Sequence, residues 1–278
     1  MGGDVVLGAR GHPAVAAAAA LRRPAGRLAA AACLAEGPHL VAEALAAGLR
    51  PLAVFVTAAF AAGPQAALVA DLRRRLPPGA AEASPLPAGL FVASRRVFAA
   101  LSAEPAPQGL LAVFALPPCG PPGGEATTLI LDGVQDPGNV GALARSLLAF
   151  GGAGALLLTG PGTADPYGEK ALRASAGAMF RLRHRQAESL PAAIAGLPQR
   201  PWALCPRGGE DLRRARLVPP LALVVGSEGA GVSPAVAELC RPLSIVLAGP
   251  AESLNAAAAG AIALYAARTW GAQGAAPA

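Results

Sequence analysis

Five polar side chains, spread over three glycine-rich turns, have the types and spacing to do chemistry. The stretch "LDGVQDPGNVGALARSLLAFGG" (Leu131–Gly152) places Asn139 at the bend of a strand–turn–helix and Arg145 six residues further on. Asp136, Pro137 and Gly138 make the turn, so Asn139 falls near a first helical turn whose free N–H groups face outward. The form is that of a phosphate cradle. Yet no Gly-Lys-Ser/Thr follows the glycines and no GxGxxG is present, which excludes the two common phosphate fingerprints. Arg145 lies well inside the helix and does not share the face of Asn139 by an i,i+4 rule, although a long guanidinium can reach back toward the helix start. By itself the stretch also reads as an ordinary βα turn, with Asn139 as the helix cap and a solvated Arg145.

The second turn is "LALVVGSEGAGVSPAV". A buried strand ends at Gly226, Gly229 and Gly231 follow, and Ser233 and Pro234 start a helix. Glycines there let a ligand approach the backbone closely, and Glu228 is an acid among backbone donors near a helix start. The third is "LSIVLAGPAESLNAAAAGAIALYAARTW". A strand is expected through Ile245 and Leu247, with Ser253, Leu254 and Asn255 at the head of a long helix of small residues. Ser253 reads as its N-cap.

These turns need a scaffold, and apolar runs alternating with helical patterns supply one. "LPPCGPPGGEATT" holds four prolines and three glycines and marks a linker. It divides the chain into a first domain, 1–116, a linker, 117–127, a second domain, 128–272, and a disordered tail, 273–278. In the first domain, strands are expected at "LAAAACLAEG", "PLAVFVTA" and "LLAVFAL", and helices at "PHLVAEALAAG" and "PQAALVADLRRRL". That alternation predicts an α/β sandwich. In the second, strands are expected at "TLILDGV", "ALLLTG", "FRLRHR", "PWALCP", "LALVVG" and "LSIVLAG". Helices are expected at "PGNVGALARSLLAF", "GEKALRASAGAM", "ESLPAAIAGL", "SPAVAELC" and "SLNAAAAGAIALYAARTW". Continuously apolar strands predict a mostly parallel sheet covered on both faces, with ligands at the carboxyl ends of its strands.

Composition narrows the class. The chain has 278 residues and a formal charge of +6, with Lys170 its only lysine; a pI near 9.9 gives a field that attracts polyanions. Cys33, Cys119, Cys205 and Cys240 have no CxxC spacing, and His12, His39 and His184 lie far from them. Neither a metal site nor a disulfide framework is expected, and a reducing cytoplasm is the default. "HPAVAAAAALRRPAG" has the apolar centre of a signal peptide but a weak basic start and a short run, so export is not expected. No stretch has the roughly eighteen continuous apolar residues of a membrane helix.

Together, "LDGVQDPGNVGALARS", "VVGSEGAGVS" and "ESLNAAAAGAIALY" resemble the three signature motifs of the SpoU (TrmH-type) RNA ribose 2'-O-methyltransferases, in order and spacing. "DPYGEKALRASAGAMFRL" between them is similar to that family too, and "ACLAEGPHLVAEAL" and "SAEPAPQGLLAVF" resemble its N-terminal substrate-binding domain. The resemblance implies an L30e-like α/β sandwich followed by a SPOUT domain with a deep trefoil knot, S-adenosylmethionine as cofactor, and a homodimer through the C-terminal domain. It further implies that Val225, Gly226, Ile245, Leu247 and Leu254 contact the cofactor, that Gly229 keeps its loop open, and that Asn139, Arg145, Glu228, Ser253 and Asn255 are the polar catalytic positions. The chain departs from the family pattern at Val246 and Leu247, where Pro and Met are usual, and at Ala256 and Ala257, where Val and Ser are.

Transfer of a methyl group to a ribose 2'-hydroxyl needs alignment and removal of a proton from a weakly acidic alcohol. No histidine or lysine lies near the motifs, and arginine holds its proton tightly. Arg145 is therefore expected to stabilise a developing alkoxide and grip a phosphate. The basic stretch Lys170, Arg173, Arg181, Arg183 and Arg185, with Arg22, Arg23 and Arg73–Arg75 in the first domain, is expected to contact RNA; a solvated basic face is the alternative. Ribosomal RNA is favoured over tRNA as substrate. A nucleotide-dependent oxidoreductase is disfavoured by the absent GxGxxG, and a passive RNA binder by the complete set of five polar residues.

Overall fold

The computed structural model describes residues 5–9, 11–77, 88–117, 126–250 and 252–270. Most of the 117–127 linker and all of the 273–278 tail lie outside them. The described chain forms two units, one of residues up to Pro117 together with Tyr167–Phe180, the other of the remaining residues.

The first unit contains β1 (Val5–Leu7), α1 (Pro13–Ala20), α2 (Pro24–Ala30), β2 (Ala32–Glu36), α3 (Pro38–Ala46), β3 (Pro51–Thr57), α4 (Ala58–Ala61), α5 (Ala66–Arg75), β4 (Gly89–Ala93), α6 (Arg95–Leu101) and β5 (Leu110–Ala115). Its sheet runs β1-β4-β3-β5-β2, parallel from β1 to β3 and antiparallel from β3 to β2. The alternation expected from sequence is present, and β1, α1, α2, α4, β4 and α6 add to it; the start of "LAAAACLAEG" is corrected, since Leu28–Ala30 end α2 and the strand begins at Ala32. The stretch with signal-like composition is α1: His12 caps it by accepting from the Ala14 N–H at 3.2 Å. Its Ala14, Val15 and Ala18 join Leu21, Phe55, Phe91, Phe98 and Leu111 in a buried cluster. An alanine-rich helix packs there because small side chains let it approach the sheet.

The second unit contains β6 (Thr127–Asp132), α7 (Pro137–Gly151), β7 (Leu156–Thr159), β8 (Arg183–Gln186), α9 (Leu190–Ala195), β9 (Trp202–Leu204), β10 (Glu210–Asp211), β11 (Leu221–Gly226), α10 (Pro234–Ala237), β12 (Arg241–Ser244) and α11 (Ala256–Trp270); the one helix between β7 and β8, α8 (Glu169–Ala174), belongs to the first. Every pairing in the sheet β10-β12-β9-β11-β6-β7-β8 is parallel, as its apolar strands predict. β11 and β6 are in register from Leu221↔Thr127 to Gly226↔Asp132, so the first two motif loops leave the sheet side by side. α11 packs on α7 and β11. Gly260 permits that approach, since a Cβ there would run into the Leu143 side chain and lie 3.3 Å from Val225.

Three expectations are corrected. The strand expected through Ile245 and Leu247 ends at Ser244, because its neighbours end there: Leu243 pairs with Leu204 and Ser244 with Asp211. The Ser244 hydroxyl then accepts from the Gly209 N–H at 2.9 Å. The "GEKALRASAGAM" helix stops after Ala174, and positive φ at Ala176 and Gly177 turns the chain into a single 3-10 turn, Ala178–Phe180. The "SPAVAELC" helix is only Pro234–Ala237.

Candidate active site

β6 ends at Asp132, and Gly133, at φ 70°, turns the chain out of the sheet in a conformation that favours glycine. The cap of α7 is Asp136, which accepts from the N–H groups of Gly138 (2.5 Å) and Asn139 (3.3 Å). The reading of Asn139 as a cap is therefore corrected. Asp136 does that work, and the Asn139 side chain is left to reach across to the other two loops.

It makes both bonds that an amide orients best. Asn139 Nδ2 donates to Glu228 Oε1 at 2.8 Å, and Asn139 Oδ1 accepts from Asn255 Nδ2 at 3.1 Å. Glu228 also accepts from the backbone N–H groups of Gln135 (3.2 Å) and Asp136 (3.3 Å). Burial alone would raise the Glu228 carboxyl, but the Asn139 amide and the backbone donors of Glu228, Gln135 and Asp136 outweigh it and hold it below its ordinary value. Asn255 Oδ1 in turn accepts from the N–H groups of Ala257 (2.9 Å) and Ala258 (3.2 Å). Asn255, not Ser253, thus caps α11. Glu228, Asn139 and Asn255 form one hydrogen-bonded chain, a clasp across all three loops.

Arg145 and Ser253 stand outside that chain. Arg145 is exposed on α7, and its side chain has no hydrogen bond or ion pair to another described residue. Ser253 is exposed and lines a cleft beside the clasp.

The cleft opens at the carboxyl ends of β9, β11 and β12. Val225, Gly226, Ile245, Leu247 and Leu254 line it, together with Leu204, Cys205, Pro206, Ser227, Gly231, Ser253, Ala256 and Ala259. Its lining is mostly aliphatic side chains and loop backbone, with the Ser227 and Ser253 hydroxyls and the Cys205 thiol, and with no arginine or lysine. That chemistry fits an adenosine, whose flat base packs between aliphatic groups and whose polar edge pairs with backbone, and it does not fit a polyphosphate. The loop after β11 is closed on itself: Ser227 N–H donates to Gly231 O at 2.9 Å, and Gly231 N–H returns to Ser227 O at 3.0 Å. A Cβ on Gly226 would collide with the backbone of Gly231 and Val232. Gly229, expected to keep this loop open, is at its exposed tip and is not among the residues that line the cleft.

Sequence reasoning missed Leu204–Pro206. Only the sheet order, which sets β9 beside β11, reveals that its following loop opens on the same cleft. The basic residues divide. Lys170, Arg173, Arg22 and Arg23 belong to the first unit, and Arg181, Arg183 and Arg185 to the second. Arg22 Nε lies 3.5 Å from Glu169 Oε1, and the Arg173 guanidinium 2.5 Å from Glu104 Oε1. Lys170 and Arg23 are exposed. His184 is bonded to Thr159 Oγ1 at 3.0 Å, and burial pulls its pKa down to about 4, with Asp165 opposing. Among the described residues no cluster of His, Cys, Asp and Glu could hold a metal ion, and no helix is long and apolar enough to cross a membrane.

Comparison with known proteins accounts for both parts of the chain. The SpoU rRNA Methylase family model matches residues 126–265, and the MRM3-like substrate binding domain matches residues 12–112. The 23S rRNA (guanosine(2553)-2'-O)-methyltransferase RlmP of Bacillus subtilis is 33% identical over 183 residues, 63% of this chain and 71% of that one. An uncharacterized tRNA/rRNA methyltransferase of Synechocystis is 32% identical over 184 residues, 64% of this chain and 66% of that relative, just under two thirds of its length. Among solved structures, the AdoMet-bound rRNA methyltransferase from Sinorhizobium meliloti superposes with a TM-score of 0.76 at 26% identity, over 95% of this chain and 97% of that one.

Proposed function

The chain belongs to the SpoU rRNA methylase family, and from that premise we propose that it methylates a ribose 2'-hydroxyl in structured RNA, with 23S rRNA as the substrate. The observation that carries this reading is the Glu228–Asn139–Asn255 chain of hydrogen bonds beside an apolar cleft suited to adenosine. The family's RNA methyltransferase activity uses S-adenosylmethionine, and Val225, Gly226, Ile245, Leu247 and Leu254 would hold it here. When bound, that cofactor supplies an electrophilic methyl group.

The chain's own residues do the rest. Glu228 stays ionised and fixes the Asn139 amide, and Asn255 holds it from the other side, so the bend faces the incoming ribose without reorganising. Arg145, exposed on its helix and with no side-chain partner within the described chain, stabilises charge developing on the 2'-oxygen and grips the neighbouring phosphate. Ser253, at the mouth of the cleft, orients the sugar. With no histidine or lysine at the site, the proton passes to solvent or to the RNA phosphate as the oxygen–methyl bond replaces the sulfur–methyl bond, with a neutral thioether as the leaving group.

The same reading includes an L30e-like first domain, a trefoil knot and a cytoplasmic homodimer. The return of the chain from the outlying β12 to α11, beside β11, is the kind of path a knot needs. Ile262 and Tyr265, 39% and 51% exposed on α11, offer apolar surface for a second copy.

The test is methyl transfer to unmodified 23S rRNA and tRNA transcripts, with the modified positions mapped. Methylation of a 23S ribose is expected; methylation of tRNA alone redirects the substrate, and transfer to neither sinks the reading. Arg145→Ala is expected to lower kcat by about 10³-fold or more while S-adenosylhomocysteine affinity holds. Normal turnover by that variant defeats its assignment.

A further inference from the structure

Resting on that reading, we infer that Thr163 is a positioning residue that couples the Tyr167–Phe180 segment of the first unit to the loop carrying Asn139. After β7 the chain runs from Gly160 to Pro166 along the edge of the first motif and is laced to it. The Thr163 hydroxyl donates to Leu131 O at 3.0 Å and accepts from the Gly133 N–H at 3.2 Å. Ala164 N–H donates to Val134 O at 2.9 Å, and Gly160 N–H to Leu131 O at 2.9 Å. One hydroxyl therefore uses both its donor and an acceptor lone pair on the backbone that leads into Gln135, Asp136 and Asn139.

What lies four residues downstream gives this lacing its use. Tyr167 opens the segment that belongs to the first unit, and that segment carries Glu169 and Arg173, paired with Arg22 and Glu104. Both arginines are 40% exposed at the side chain, so RNA phosphate competes with the carboxylates for them. A shift of α8 on RNA binding is delivered through the covalent chain to Thr163. Gly133 receives it: at φ 70° it is a residue free to change backbone conformation, and the Thr163 hydroxyl is what holds its N–H. Coupling of this kind needs an element with two arrangements that both sites bias, and that part is assigned to the Gly133 peptide.

The experiment compares the wild type with Thr163→Val and Thr163→Ser, using a 23S rRNA transcript as the RNA probe. Thr163→Val, which keeps the shape and removes both bonds, is expected to lower kcat about tenfold while RNA and S-adenosylhomocysteine affinities stay within about twofold. Thr163→Ser restores the rate. Wild-type kcat in the valine variant overturns the inference, as does a serine variant no better than valine. Amide exchange is the second readout: saturating RNA changes exchange at Gly133 and Val134 in the wild type, and an unchanged rate overturns the coupling even if Thr163→Val fails to fold. A wild type that binds the transcript but transfers no methyl group fails the functional reading instead, and the exchange result still judges the coupling.

Discussion

Glu228 and Glu169 are the same residue put to opposite uses. Glu228 is exposed, accepts from three donors, and its carboxyl is held low against the cost of burial. Glu169 is half-buried in the first unit. Burial pushes its carboxyl up, Arg22 opposes that, and the charge of Glu36 adds to it. The 3.5 Å approach of Arg22 is an ion pair without a hydrogen bond, and Glu169 Oε1 has no hydrogen-bond partner among the described residues. A carboxylate among N–H donors fixes geometry at little cost, whereas one in a weak ion pair is poorly compensated and easily released. The site is built on the first kind and the segment beside Arg22 on the second.

The sharpest way to break this contrast is Glu228→Ala, which removes the acceptor shared by Asn139, Gln135 and Asp136. A loss of about 10²-fold in kcat is expected from steady-state transfer assays, with Glu228→Gln in between. An unchanged rate would make the clasp ornamental. The two residues also separate in pH. A lowered folded-state pKa makes Glu228's stabilisation present above the unfolded value and lost as pH falls through the folded one. A raised one makes Glu169 cost stability as pH rises from its unfolded value through its folded value. Thermal melting should accordingly show Glu169→Gln at least as stable as the wild type at neutral pH, by less than about 1 kcal/mol, with the advantage gone in acid. Glu228→Gln should lose stability at neutral pH. A clear destabilisation by Glu169→Gln at neutral pH would erase the distinction. Smallest of all is Arg173→Ala, whose half-exposed pair with Glu104 is worth about 0–1 kcal/mol to folding. Its effect is expected in RNA affinity and its salt dependence instead.

Much of the site was legible because its parts are local. Glycines and prolines mark the three turns, and strands such as "LALVVG" announce a buried parallel sheet without knowledge of their neighbours. Asn139, Glu228 and Asn255 could be singled out, and the structure joins them directly. What sequence could not supply is non-local. β12 stops at Ser244 because its partners stop, Leu204–Pro206 reach the cleft only through the sheet order, and Tyr167–Phe180 leave one unit for the other. The capping roles misread at Asn139 and Ser253 had local rivals, Asp136 and Asn255, each as good a cap by type. Propensity cannot rank two such residues when tertiary bonds decide which one is free.

The described chain passes between its units three times, between 117 and 126, at 166/167 and at 180/181. Neither unit is therefore a continuous stretch of the gene. A fragment starting after residue 117 would carry Tyr167, Leu172, Met179 and Phe180, all buried in the whole chain, without the cover that Phe114 and its neighbours give. Such a fragment is expected to be sticky, and a fragment ending there would lack a piece of its own core. Severing this protein at its proline-rich linker yields two incomplete halves, so loss or exchange of one domain in evolution would require the other to be repaired at a second place.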